Sequence, residues 1–214
     1  MRFRLIAATL SLAVAVAPLQ AQVAPAGTFG SLPANSFGGT GIPTNAVMIG
    51  GLNGVSIGLS ATQRYFSPAV TNDGAGTYFA GTGISTGAPV NAGFAAWNFD
   101  YFVGGATSGR DFFTLYVDAN PAIGNTLAQL TPYSWSGNFH DSTNLHYFSA
   151  SFDPNVAGEY SFALYQYDAS GTVIDHVAMN VDVGITATPE PASLVLFGTG
   201  LLGIGGLVRR RRKA

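Results

Sequence analysis

The sequence predicts an all-β protein: an antiparallel β-sandwich, immunoglobulin-like or jelly-roll, with a short apolar segment at either end of the chain. Three observations carry this. Apolar residues recur at every second position in short runs, as they do along a strand with one buried face. Gly, Asn and Asp cluster between those runs, where turns are required. No window between Gln22 and Thr188 keeps a 3.6-residue apolar period. With 15 Phe, 9 Tyr and only 9% charged residues, the chain has apolar bulk for two packed layers and little to solvate long helices.

Taken in order, the chain opens with Arg2 and Arg4, an apolar run over 5–17, and Pro18-Leu19-Gln20-Ala21. A charged start, an apolar centre and a small final residue predict a secretory signal peptide over 1–21, cut after Ala21. Its thirteen residues reach about 20 Å as a helix, short of a membrane span. Residues 22–45 are rich in Gly, Pro, Ala and Ser, which predicts a flexible leader holding at most one strand.

The sandwich domain is expected over 46–187. Val55, Ile57 and Leu59 alternate with Ser56, Gly58 and Ser60. Trp97, Phe99, Tyr101 and Val103 alternate with Asn98, Asp100 and, imperfectly, Phe102. Phe113, Leu115 and Val117 follow, ending on the turn signal Asp118-Ala119-Asn120-Pro121, and Tyr147–Phe152 is a further short run. Tyr160, Phe162 and Leu164 lead into Asp168-Ala169-Ser170-Gly171, and Val177, Met179, Val181 and Val183 return. This is a β-hairpin with one buried face.

Charge excludes one class of partner. Seven of the nine Lys/Arg lie in the two ends, so between Gln22 and Thr188 only Arg64 and Arg110 face ten carboxylates, a net charge of −8. Such a surface repels phosphate backbones, and nucleic acid is not an expected partner. Without Cys there is no disulfide, cysteine nucleophile or thiolate metal site. About 167 residues suffice for a core without disulfides.

Candidate chemistry is sparse, and no catalytic residue, metal ligand or cofactor is assigned. Gly83-Ile84-Ser85-Thr86-Gly87 fits G-x-S-x-G, but a nucleophile elbow needs a helix after the Ser, and no helical pattern follows. Ser85 reads more simply as a loop residue. His140, Asp141 and His146 could hold a zinc, yet a spacing of six matches neither a helix turn nor one strand face. His176 reads as a surface strand residue. Asp118, Asn120 and Asn125, or Asp168 with Ser170, offer oxygens for a structural Ca²⁺, and Asx turns explain both sets without an ion. Trp97, Trp135, Tyr101, Tyr133, Tyr165 and Tyr167 suit either a core or a sugar-stacking platform. Tyr165 and Tyr167 fall on the face opposite Tyr160, Phe162 and Leu164, which leaves an exposed aromatic pair.

The last stretch, 188–214, is of another kind. Pro189-Glu190-Pro191 precedes an uncharged run over 192–208, then Arg209, Arg210, Arg211, Arg212 and Lys213. Seventeen residues at about 1.5 Å each make a helix of about 25 Å, long enough to cross a bilayer once the arginines reach for the headgroups. A transmembrane helix is expected over 192–208, with the basic tail 209–213 on the cytoplasmic side and the domain outside.

In fixed order at the extreme C-terminus, these three features resemble the PEP-CTERM protein-sorting signal of Gram-negative bacteria. The resemblance implies recognition by an exosortase, a membrane-embedded cysteine transpeptidase that cuts near the Pro-Glu-Pro. Pro189, Glu190 and Pro191 would then be the recognition element, and Arg209, Arg210, Arg211 and Arg212 the retention element. It also implies an inner-membrane intermediate with the domain in the periplasm, followed by passage to the cell surface or an extracellular matrix. Expected partners are the membrane, the exosortase and an exopolysaccharide. The expected role is structural or adhesive and not enzymatic; the alternatives are a carbohydrate-binding module and a secreted hydrolase using Ser85 or a His140/His146 site.

Overall fold

The computed structural model of the chain describes residues 22–86, 93–122 and 125–185. The expected signal peptide with its cut at Ala21, the membrane helix over 192–208 and the sorting residues at 189–191 and 209–212 lie outside these. Among the described residues no helix is long and apolar enough to cross a membrane.

The described residues form an all-β fold of two sheets. The strands are β1 (Thr28–Gly30), β2 (Val47–Gly50), β3 (Ser56–Gln63), β4 (Thr71–Asn72), β5 (Thr77–Ala80), β6 (Trp97–Gly104), β7 (Phe112–Val117), β8 (Thr131–Ser136), β9 (Phe139–Thr143), β10 (Gly158–Tyr167) and β11 (Val173–Val183). The first sheet runs β1-β2-β3-β6-β9 and the second β4-β5-β11-β10-β7-β8. Every ladder is antiparallel except that between β5 and β11, so the second sheet is mixed.

The hairpin predicted from alternation is the centre of the second sheet. Phe162 lies opposite Met179 and Leu164 opposite Val177, with a bulge at Gln166/Tyr167 before the turn. Asp168 Oδ1 fixes that turn, accepting the amides of Ser170 at 2.8 Å and Thr172 at 2.9 Å. Gly171 completes it at φ +83°, a region costly for a residue with a Cβ.

The inner faces of the two sheets share one core. Ile57, Leu59, Trp97, Phe99 and Tyr101 from the first sheet meet Leu115, Phe162, Leu164, Met179 and Val181 from the second. At its centre the Phe99 and Phe162 rings stack at 4.6 Å between centroids, and Trp97 meets Phe162 edge-on at 6.3 Å.

The outer faces are covered too, which the expected flexible leader did not foresee. Leu32, Phe37 and Val47 form a second apolar cluster against Ile42 and Phe102, outside the first sheet. Gly58 allows this approach: a Cβ there would lie 2.8 Å from Leu32 Cδ1 and 3.1 Å from Val47 Cγ1. On the second sheet Val23 and Leu130 cover Ala163 and Ala178, and Ala26 exchanges two backbone hydrogen bonds of 3.0 Å with Ala178. Gly and Pro interrupt regular ladders in this segment without preventing burial, so low regularity coexists with tight packing.

Removing the Phe99 ring leaves a cavity where the sheets meet. Phe99→Ala is expected to lower unfolding free energy by about 3–5 kcal/mol, read from a urea titration followed by tryptophan fluorescence.

Candidate functional site

Period two dictates what the first sheet shows on its outer face. With Trp97, Phe99 and Tyr101 committed to the core, Asn98 and Asp100 must point the other way. Pairing sets Ser60, Asp100 and Ser142 in one row across β3, β6 and β9, with Thr62 beside Asn98. The segment 40–46 stands over this polar patch and leaves a cleft of about 720 Å³, lined among others by Thr62, Arg64, Asn98 and Ser142.

Asn144 holds the inner end of this patch. Its buried Nδ2 donates to Trp97 O at 2.7 Å and to Asn98 Oδ1 at 3.1 Å, and Asn98 Nδ2 donates onward to Ser142 Oγ at 3.3 Å. Asp100 is fully buried and accepts a hydrogen bond from Thr62 Oγ1 at 3.2 Å, while its Oδ2 has no partner among the described residues. Burial pushes this carboxyl up to about 7, opposed by the neighbouring Ser142 and Thr62 hydroxyls. It is neutral in the folded protein over a range where an ordinary aspartate is charged.

Arg64 follows β3 directly and is only 8% exposed. Its guanidinium lies over the rings of Tyr65 and Phe94, at 4.9 and 4.7 Å from their centroids. No carboxylate pairs with it: among the described residues the ion pair formed is Arg110–Asp111 at 3.0 Å.

The second sheet carries an aromatic face. Tyr116, Tyr165, Tyr167 and His176 are half-buried on its outer side. Tyr165 stacks on His176 at 4.8 Å and 15°, and meets Tyr116 edge-on at 5.5 Å. The hydroxyls of Tyr116 and Tyr167 are 3.3 Å apart.

The other candidates from the sequence fall elsewhere. Ser85 is 1% exposed, bridged into the fold beside Ile84–Ala95, and its Oγ has no partner among the described residues. A nucleophile needs an accessible oxygen beside a base, and this one is enclosed. His140 and Asp141 are exposed on β9, whereas His146 packs against Phe94 at 4.6 Å. Among the described residues no three His, Asp or Glu side chains come together to hold a metal ion. Asp118 is engaged with the Asn120 and Ser161 amides and the Asn125 side chain, and Asp168 with its own turn. Trp97 is buried in the core, and Trp135 packs against Phe113, Phe139 and Tyr101. Tyr133 donates to Phe148 O.

Sequence reasoning missed both the buried Arg64 and the buried Asp100. The available signal was an arginine nearly alone in an acidic domain, followed by Tyr65-Phe66, with Asp100 inside an aromatic strand.

In comparison with known proteins, residues 187–213 match the family model described as the PEP-CTERM protein-sorting motif. That is the segment whose Pro-Glu-Pro, apolar run and arginines resembled such a signal, and a motif of this kind implies export with exosortase processing at the membrane. No curated protein and no solved structure matches the chain.

A raised folded-state value means the native protein holds a proton that the unfolded chain releases between the ordinary aspartate value of 3.8 and about 7. Stability from neutral Asp100 is therefore complete below that window and lost as pH rises through it, approaching ~1.4 kcal/mol per pH unit for one proton. Asp153 and Asp168 are shifted down by the Asn155 amide and the Ser170 hydroxyl, so their losses fall at lower pH. Burial pushes Asp118 and Asp182 up, which leaves a residual slope. Urea midpoints measured from pH 4.5 to 8 are expected to fall less steeply in Asp100→Asn than in the parent.

Proposed function

We propose that the chain is an exported protein, sorted by an exosortase through its C-terminal motif, whose β domain serves at the cell surface or in an extracellular matrix without catalysing a reaction. The observation that carries this reading is the motif match over 187–213. In it, 1–21 directs export, Pro189, Glu190 and Pro191 are recognised, 192–208 spans the membrane, and Arg209 to Arg212 hold the tail on the cytoplasmic side. The two sheets act as a β-sandwich whose buried rings and short turns make a durable unit for an exposed location. Support for a structural role comes from the polar side chains themselves. Asp118, Asp168 and Asn144 are engaged in holding turns and ladders.

A second reading, a carbohydrate-binding module, is favoured by the half-exposed rings of Tyr116, Tyr165 and Tyr167 with His176. Aromatic rings with polar tips suit the apolar faces and hydroxyl edges of sugars.

Intact-mass measurement of the protein from hosts with and without the exosortase tests the first reading. The 192–214 segment is expected to be missing in the first host and present in the second, and Pro189→Ala/Glu190→Ala/Pro191→Ala is expected to retain it in both. An identical, unprocessed C-terminus in the two hosts rejects exosortase sorting. For the second reading, co-sedimentation with the host's own polysaccharide is expected to weaken on the order of tenfold in Tyr165→Ala.

A further inference from the structure

Arg64 is in an unusual position for a cation. It is more than nine-tenths buried in a domain with ten carboxylates, and none is its partner. A guanidinium carries five N–H donors. Among the described residues the hydrogen bond it makes is from Nη1 to Asn98 Oδ1, a marginal 3.5 Å, and its Nε has no partner. The two rings offset part of the cost of burying this charge but offer its N–H groups no acceptor, so an anion would complete it. The guanidinium is also the cation best matched to a carboxylate, through two parallel hydrogen bonds.

The surroundings indicate what carries the anion. Arg64 opens into the cleft of about 720 Å³, the size of a small organic ligand. The floor presents hydroxyls and amides (Thr62, Asn98 and Ser142), and Ile42 and Val70 add apolar wall. Asn98 is oriented by the buried Asn144, so the floor is built in advance. At the rim, Tyr65 holds φ +51°. The other non-glycine residues with positive φ among those described are Asn35 and Asn53, which tolerate that region; a tyrosine does not do so readily. This strained backbone sets the Tyr65 ring beside the guanidinium, with 49% of the residue exposed. An aromatic rim, a hydroxyl-and-amide floor and an unpaired arginine describe a receptor for a sugar that bears a carboxylate.

We infer that the cleft between segment 40–46 and the outer face of β3, β6 and β9 binds uronic-acid sugars, with Arg64 taking the carboxylate and Tyr65 lying against the sugar ring. This does not rest on the sorting reading, and it concerns the opposite sheet from the Tyr165 face.

Isothermal titration of the full chain in detergent with digalacturonate, and with the neutral digalactose, provides the test. Digalacturonate is expected to bind saturably and digalactose at least tenfold more weakly. Arg64→Gln is expected to weaken digalacturonate binding at least tenfold with the near-ultraviolet dichroism unchanged, whereas Val173→Ala, an exposed change at the start of β11 in the opposite sheet, leaves it unaltered. Should Arg64→Gln fail to fold, Asn45→Trp decides the matter, because it fills the cleft mouth from an exposed position and is expected to abolish binding. The inference is overturned if neither sugar binds, if digalactose binds equally well, or if the decisive variant binds as the parent does. Inorganic sulfate binding as tightly as digalacturonate would mark a bare anion hole and overturn the assignment to sugars.

Discussion

The contact between β6 and β10 governs the rest of this molecule. Phe99 and Phe162 stack where the two sheets meet, and Trp97 abuts the same ring. Once alternate residues of both strands are committed to that interface, their neighbours have no choice but the outer faces. Asn98 and Asp100 are polar outer-face residues because Trp97, Phe99 and Tyr101 are inner-face ones. The same rule puts Tyr165 and Tyr167 outside because Phe162 and Leu164 are inside.

What distinguishes this fold is that those outer faces are then partly roofed. The segment ahead of β2 crosses both sheets, with Val23 and Ala26 on one and Leu32 and Phe37 on the other. Covering a polar row changes its chemistry. Asp100 would titrate as an ordinary carboxylate on an open sheet; under the roof, desolvation favours its neutral form. Arg64, just past the end of β3, is buried over two rings without a carboxylate partner among the described residues. Burial of polar groups and the existence of a cleft are thus two results of one arrangement.

The aromatic residues divide by the same logic. Trp97 and Trp135 are packing groups whose indole nitrogens have no partner among the described residues. On the second sheet's outer face the half-buried Tyr116 and Tyr167 bring their hydroxyls within 3.3 Å of each other. Residue type alone could not separate these groups, because a ring serves equally well as core filler or as a platform. Strand register separated them.

The sequence by itself determined the all-β class, the closing hairpin with its Asp168 turn, the acidic domain and the PEP-CTERM-like tail over 188–214, which the family model matches over 187–213. These are local properties: alternation, turn chemistry and an ordered motif are written within a few consecutive residues. The tertiary structure alone decided that β5 joins β11 in parallel and that a Gly/Pro-rich leader packs on both sheets. It alone buried Asp100 and placed Arg64 in the wall of the cleft beside segment 40–46. Those outcomes depend on which distant surfaces meet. Burial and the pairing of charges are properties of such meetings, so no single stretch of chain encodes them.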